Sequence, residues 1–118
     1  AFFDPKRHHY CSAPGKLLLS TLSEPELKVY FEHAKLIKFN KTTLATEEEI
    51  RKELEKIKKV GFSTHNEEFL LGNFTISFPL WLDGKVKGAF SFMCPISEKS
   101  KIYNQKAIND IKTSLYQS

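Results

Sequence analysis

The sequence predicts an α+β domain, a mainly antiparallel sheet with flanking helices. Two runs rich in apolar and β-branched residues, Phe74 to Leu82 and Val86 to Met93, flank Asp83-Gly84, a short hairpin signal. Three capped helix starts precede them, and an amphipathic run follows to the C-terminus. With 118 residues, 41% of them apolar and ten of them Phe, the chain can bury one core and is read as a single domain spanning residues 1–118.

Ala1 to Cys11 reads as irregular, and its abrupt start with Phe2 and Phe3 suggests a natural polypeptide that extends further upstream. Ser12 caps the first helix, Pro14 suits its first helical position, and Leu17, Leu18 and Leu22 form its buried side. Ser23 and Glu26 make a capping box with Pro25 in the first turn, ahead of Leu27, Tyr30, Phe31 and Ala34 at helical spacing. Thr46 and Glu49 make a second box, followed by a stripe of Ile50, Leu54, Ile57 and Val60 that Gly61 ends. Its other faces pair Glu47 with Arg51, Glu48 with Lys52 and Glu55 with Lys59, solvated contacts worth about 0.2–0.5 kcal/mol each. Phe62 to Phe69 reads as a strand carrying Thr64, His65 and Glu67, and Leu71-Gly72 turns it into the hairpin. Ser100 to Tyr116 reads as one last helix with Ala107, Ile108, Ile111 and Leu115 on its apolar side.

The hairpin register decides what each sheet face carries. A two-residue loop at Asp83-Gly84 pairs Leu82 with Lys85 and mixes lysines with phenylalanines on both faces. A three-residue loop, Leu82-Asp83-Gly84 with Gly84 at positive φ, pairs Trp81 with Lys85 and separates the faces. One face then holds Phe74, Ile76, Phe78, Leu80, Leu82, Val86, Gly88, Phe90 and Phe92; the other holds Asn73, Thr75, Ser77, Pro79, Trp81, Lys85, Lys87, Ala89, Ser91 and Met93. The three-residue loop is therefore the expected one. The small polar face either meets water or floors a ligand pocket.

A net charge of +4, with lysines interleaved among glutamates, argues little for a nucleic-acid surface, and the isolated chain is expected to show no specific DNA affinity. No apolar run is long enough for a membrane span and the start lacks signal-peptide character, so the expected compartment is the cytoplasm, with no membrane partner. Cys11 and Cys94 are then expected to be reduced thiols. Neither lies in a nucleophile elbow, a phosphate loop or a pairing with a sequence-local base, so the chain is not expected to be an enzyme. No cofactor is expected; an alternative zinc site would use His9, Cys11 and His65, although no tight ligand spacing is present. The most specific local chemistry is at Ser12 to Lys16, where a hydroxyl cap and free N–H groups at Gly15 and Lys16 could hold a small anion. An ordinary capped helix has the same residues.

The landmarks Cys11-Ser12-Ala13-Pro14-Gly15-Lys16-Leu17-Leu18-Leu19, Ser23-Glu24-Pro25-Glu26-Leu27 and Phe39-Asn40-Lys41-Thr42-Thr43 come in a specific order and spacing. So do Asn66-Glu67-Glu68-Phe69-Leu70-Leu71-Gly72 and Ala89-Phe90-Ser91-Phe92-Met93-Cys94-Pro95. From about Tyr10 to Pro95 the chain resembles the effector-binding domain of IclR-type bacterial transcriptional regulators. That resemblance implies a GAF-like sensor fold binding a small-molecule effector, often a carboxylate or aromatic acid. It implies DNA contact only through a separate N-terminal winged helix-turn-helix absent from this chain, and assembly as a homodimer or homotetramer. Carried over by position, the pocket wall is Ala13, Pro14, His65, Asn73, Thr75, Ser91 and Met93; the helix-start chemistry read above adds Ser12, Gly15 and Lys16 as the expected anion anchor. The chain departs from the family's usual residues at Pro14, His65, Met93 and Cys94. The alternative is a structural oligomerisation domain with a vestigial pocket.

Overall fold

The computed structural model describes residues 8–69 and 71–116, so the beginning of the Ala1-to-Cys11 stretch and Leu70 of the motif quoted above lie outside the described residues. A 3-10 turn, His9–Cys11, leads into α1 (Ala13–Leu19), α2 (Glu24–His33) and α3 (Glu47–Val60). The strands β1 (Ser63–Asn66), β2 (Asn73–Leu82) and β3 (Lys85–Pro95) follow, then α4 (Lys99–Ile102) and α5 (Gln105–Tyr116). The sheet is antiparallel with β2 in the centre. This is the α+β architecture expected, with helices on both sheet faces.

The caps act as their chemistry dictates. The Ser23 hydroxyl accepts from the Glu26 N–H while Glu26 accepts from the Ser23 N–H, closing the first box. The second box is only half formed, because Glu49 meets the Thr46 hydroxyl rather than its N–H. Gly61 ends α3 at φ 80°, a conformation glycine reaches without a Cβ clash. Three details of the helices differ from the sequence reading. Leu19 takes the fully buried place expected for Leu18. Glu55 pairs with Lys58 rather than Lys59. The expected single C-terminal helix is two, because the Asn104 side chain accepts from the Ala107 N–H and starts α5 afresh.

The hairpin corrects the expected loop and keeps its consequence only from Leu80 downward; at the tip Lys85 shares a face with Leu82 and Val86 with Trp81, the reverse of the expected placement. Leu82 pairs with Lys85 around the two-residue turn Asp83-Gly84, whose φ angles of 52° and 74° are those of a type I′ turn. Trp81 pairs with Val86 and Leu80 with Gly88, so Lys87 is an extra residue, a β-bulge. The bulge shifts the register once more, and from Leu80 downward even-numbered residues again face even-numbered ones. Below the tip the separation of faces thus comes from the bulge and not from a longer loop.

Phe74, Ile76 and Phe78 are buried with Ile108, and Ile102, Ile111 and Leu115 pack around them. The second core joins Tyr10, Leu17, Leu19 and Leu22 to Leu27 and Tyr30 of α2, with Ile50, Leu54 and Ile57 of α3 completing it. Between this core and the other sheet face lies α1, which contacts all three strands. Beneath it are the buried polar residues Ser63, His65, Thr75 and Ser77.

Candidate functional site

The start of α1 is tightly built. The Ser12 hydroxyl accepts from the Gly15 N–H at 3.0 Å, and the Ser12 carbonyl accepts from the Lys16 N–H at 2.9 Å. A Cβ at Gly15 would overlap the His9 carbonyl and the Ser12 hydroxyl, so only glycine lets the preceding turn fold back this closely. The two amides expected to be free for an anion are therefore committed to the helix cap.

Lys16 does something the sequence did not reveal. Its side chain is 0% exposed, and its ammonium donates to Glu53 of α3 at 2.9 Å and to Glu68 at 2.8 Å. One cation and two carboxylates leave a formal charge of −1, and the Glu68 Oε2 is buried with no hydrogen-bond partner among the described residues. Burying a charge is tolerable only when it is paired this closely. The loop that presents Glu68 is strapped from outside: the Asn40 amide donates to the Glu67 carbonyl, as does the Thr42 hydroxyl, and the Thr43 hydroxyl donates to the Glu68 carbonyl. Two separate sequence landmarks, Phe39 to Thr43 and Asn66 to Gly72, are thus halves of one support.

His65 lies on β1 opposite Thr75, which pairs in turn with Met93. Burial pushes its pKa below the ordinary 6.5, Glu68 opposes that shift and Lys16 adds to it. Its Nε2 accepts from the Phe69 N–H at 3.0 Å, so the ring is neutral near pH 7 and not the positive group expected of it. In the next row Ser63 pairs with Ser77 and Ser77 with Ser91; the last two hydroxyls are 2.7 Å apart. Asn73 is half-buried at the end of β2, while Ser91 and Met93 are exposed on the edge strand β3. Ala13 is buried and Pro14 half-buried at the start of α1.

The expected pocket residues therefore share one sheet face and the helix above it. Glu53, Glu68, Ser63 and Ser77 belong to the same polar layer and were missed as site residues. Alternation from His65 and Thr75 signals Ser63 and Ser77, whereas nothing local signals Glu53 or Glu68. The zinc alternative fails: no group of three or more His, Cys, Asp or Glu among the described residues could hold a metal ion. Burial pushes the Cys11 thiol up to about 11, so it is protonated near neutral pH. Cys11 and Cys94 are both free, as expected.

An antiparallel sheet with an apolar face under one helix layer and a polar face under another defines a two-sided α+β domain. The structure resembles the C-terminal domain of the E. coli transcriptional regulator KdgR, with a TM-score of 0.76 and 22% identity over 92% of this chain and 64% of that one. It also resembles the inducer-binding domain of the PobR transcription factor from Acinetobacter, a double mutant in complex with 3-hydroxybenzoic acid (TM-score 0.76, 21% identity, 91% and 60% covered). Thermotoga maritima IclR aligns with a TM-score of 0.73 and 26% identity over 91% of this chain and 42% of its own. The chain thus spans about three fifths of the isolated domains and two fifths of the longer regulator. No curated protein matches it in sequence. The family described as bacterial transcriptional regulator IclR C-terminal matches residues 6–116, and the chain belongs to that family.

Proposed function

We propose that this chain is the ligand-sensing part of a cytoplasmic transcriptional regulator, that it is not an enzyme, and that it binds a small carboxylate or aromatic acid to modulate DNA binding by a separate winged helix-turn-helix domain in a homodimer or homotetramer. The observation that carries the site is the chemical asymmetry of the sheet: one face is apolar, buried at Phe74, Ile76 and Phe78 and exposed at Phe90 and Phe92, whereas the other is polar from the start of α1 across Thr75 to the exposed Ser91 and Met93. The 3-hydroxybenzoic acid complex of a protein of the same fold supports an acid as ligand.

The site reads as Ser12, Ala13, Pro14, Gly15 and Lys16 at the helix start, with His65, Asn73, Thr75, Ser91 and Met93 on the sheet. With the Gly15 and Lys16 amides committed, the ligand's polar atoms are met by the Thr75 and Ser91 hydroxyls and the Asn73 amide, and Met93 covers its carbon atoms. No helix among the described residues is long and apolar enough to cross a membrane.

A thermal-shift screen of small carboxylates and aromatic acids tests this reading. An acid at a hundred times its dissociation constant should stabilise the fold by about 2.7 kcal/mol. Ser91→Leu should abolish that stabilisation and leave the unliganded fold intact. Equal stabilisation of parent and Ser91→Leu by the same acid would remove the site.

A further inference from the structure

A cleft of about 830 Å³ opens at the opposite end of α1, between its last turn, the end of α3 and the tip of the β2–β3 hairpin. None of the effector residues named above lines it. Its floor is apolar, built from Leu17, Leu22, Ile57 and Val86, and its rim carries Trp81, which is 54% exposed, with Lys85 and Lys87. The bulge explains this rim. Because Lys87 is the extra residue, both it and Val86 stand against Trp81, and a lysine joins the indole on the cleft side.

The charges here are unbalanced. Lys58 also lines the cleft but is paired with Glu55 at 3.3 Å. The acid that lines it, Glu26, accepts from the Ser23 N–H in the capping box, and Asp83 of the turn does not line it. Lys85 and Lys87 make no ion pair with any described residue. Two uncompensated ammonium groups beside a half-exposed indole and an apolar floor match one ligand chemistry: an anionic head on a flat, apolar body.

We propose that the hairpin-tip cleft is a second binding site, independent of the effector site, for a small aryl carboxylate or a comparable flat anion. The ring lies against Trp81 over the floor, and the carboxylate meets Lys85 and Lys87.

Trp81 is the chain's sole tryptophan, so its emission reports this cleft directly. Titration with phenylacetate should change Trp81 fluorescence saturably, whereas acetate, lacking the ring, and 2-phenylethanol, lacking the charge, should not. The double variant Lys85→Gln with Lys87→Gln should bind phenylacetate about tenfold more weakly, the scale of losing a charge-assisted hydrogen bond. Added salt should weaken the parent's response in the same direction. Ser91→Leu should bind phenylacetate at this cleft as the parent does. The proposal is overturned by no saturable change at millimolar phenylacetate, by an equal response to 2-phenylethanol, by unchanged affinity in the double lysine variant, or by loss of the response in Ser91→Leu.

Discussion

On one face of the sheet, Phe74, Ile76 and Phe78 meet Ile108, Ile111 and Leu115; on the other, Ser63, His65, Thr75 and Ser77 lie under α1 with Lys16 between two carboxylates. The first layer is held by contact area, about 1.5–3 kcal/mol for each large apolar side chain buried, and any good fit of volume serves it. The second depends on which atom meets which. A buried ammonium contributes only if both acids arrive from α3 and from the strapped loop, so this layer fixes relative positions where the first supplies cohesion.

Phe78 tests the cohesive side. Phe78→Ala should cost about 3–5 kcal/mol in denaturant unfolding, while Phe78→Leu, closer in volume, should cost clearly less. If the two were equal, shape and not area would rule that face as well.

Lys16 tests the specific side with a change that nearly conserves volume. Lys16→Met should cost about 3 kcal/mol, because it leaves buried carboxylates without their cation. Adding Glu68→Gln should recover part of that loss. A neutral Lys16→Met would erase the distinction between the faces.

The smallest effect is that of His65. Its folded pKa lies below the unfolded value of 6.5, so the unfolded chain takes up the proton first as pH falls. The His65 contribution is complete above pH 6.5 and is lost as pH drops from there toward the folded pKa. His65→Gln should remove that part of the pH dependence, measured as a flatter melting temperature against pH below 6.5 than the parent shows.

Much of the fold was legible in the sequence because its signals are local. Ser12, Ser23 and Thr46 mark helix starts by hydroxyl chemistry, and Gly61 marks an end by its positive φ. Below the hairpin tip the two sheet faces were readable from alternation, whereas Lys85 and Val86 were placed on the wrong faces. The bulge was not readable, because a three-residue loop and a two-residue loop with one inserted residue give the same alternation below the tip and differ only in pairing. The break before α5 had a signal, Asn104, which the apolar spacing of the following helix masked. The polar residues of the site were legible as a face, but their chemistry was not. Lys16 stands 37 residues from Glu53 and 52 from Glu68, separations that no local pattern bridges.

The ion triplet also constrains how this sequence could drift. Replacing Lys16 alone strands two acids, and replacing Glu53 or Glu68 alone removes half of the ammonium's pairing. A fully apolar version could be equally stable, yet the route that loses Lys16 first passes through buried carboxylates without their cation, several kcal/mol less stable, whereas losing one acid first leaves a neutral ion pair. The order of exchange is therefore constrained, an acid before Lys16 and not after it, an epistasis joining α1 to α3 and the β1–β2 loop.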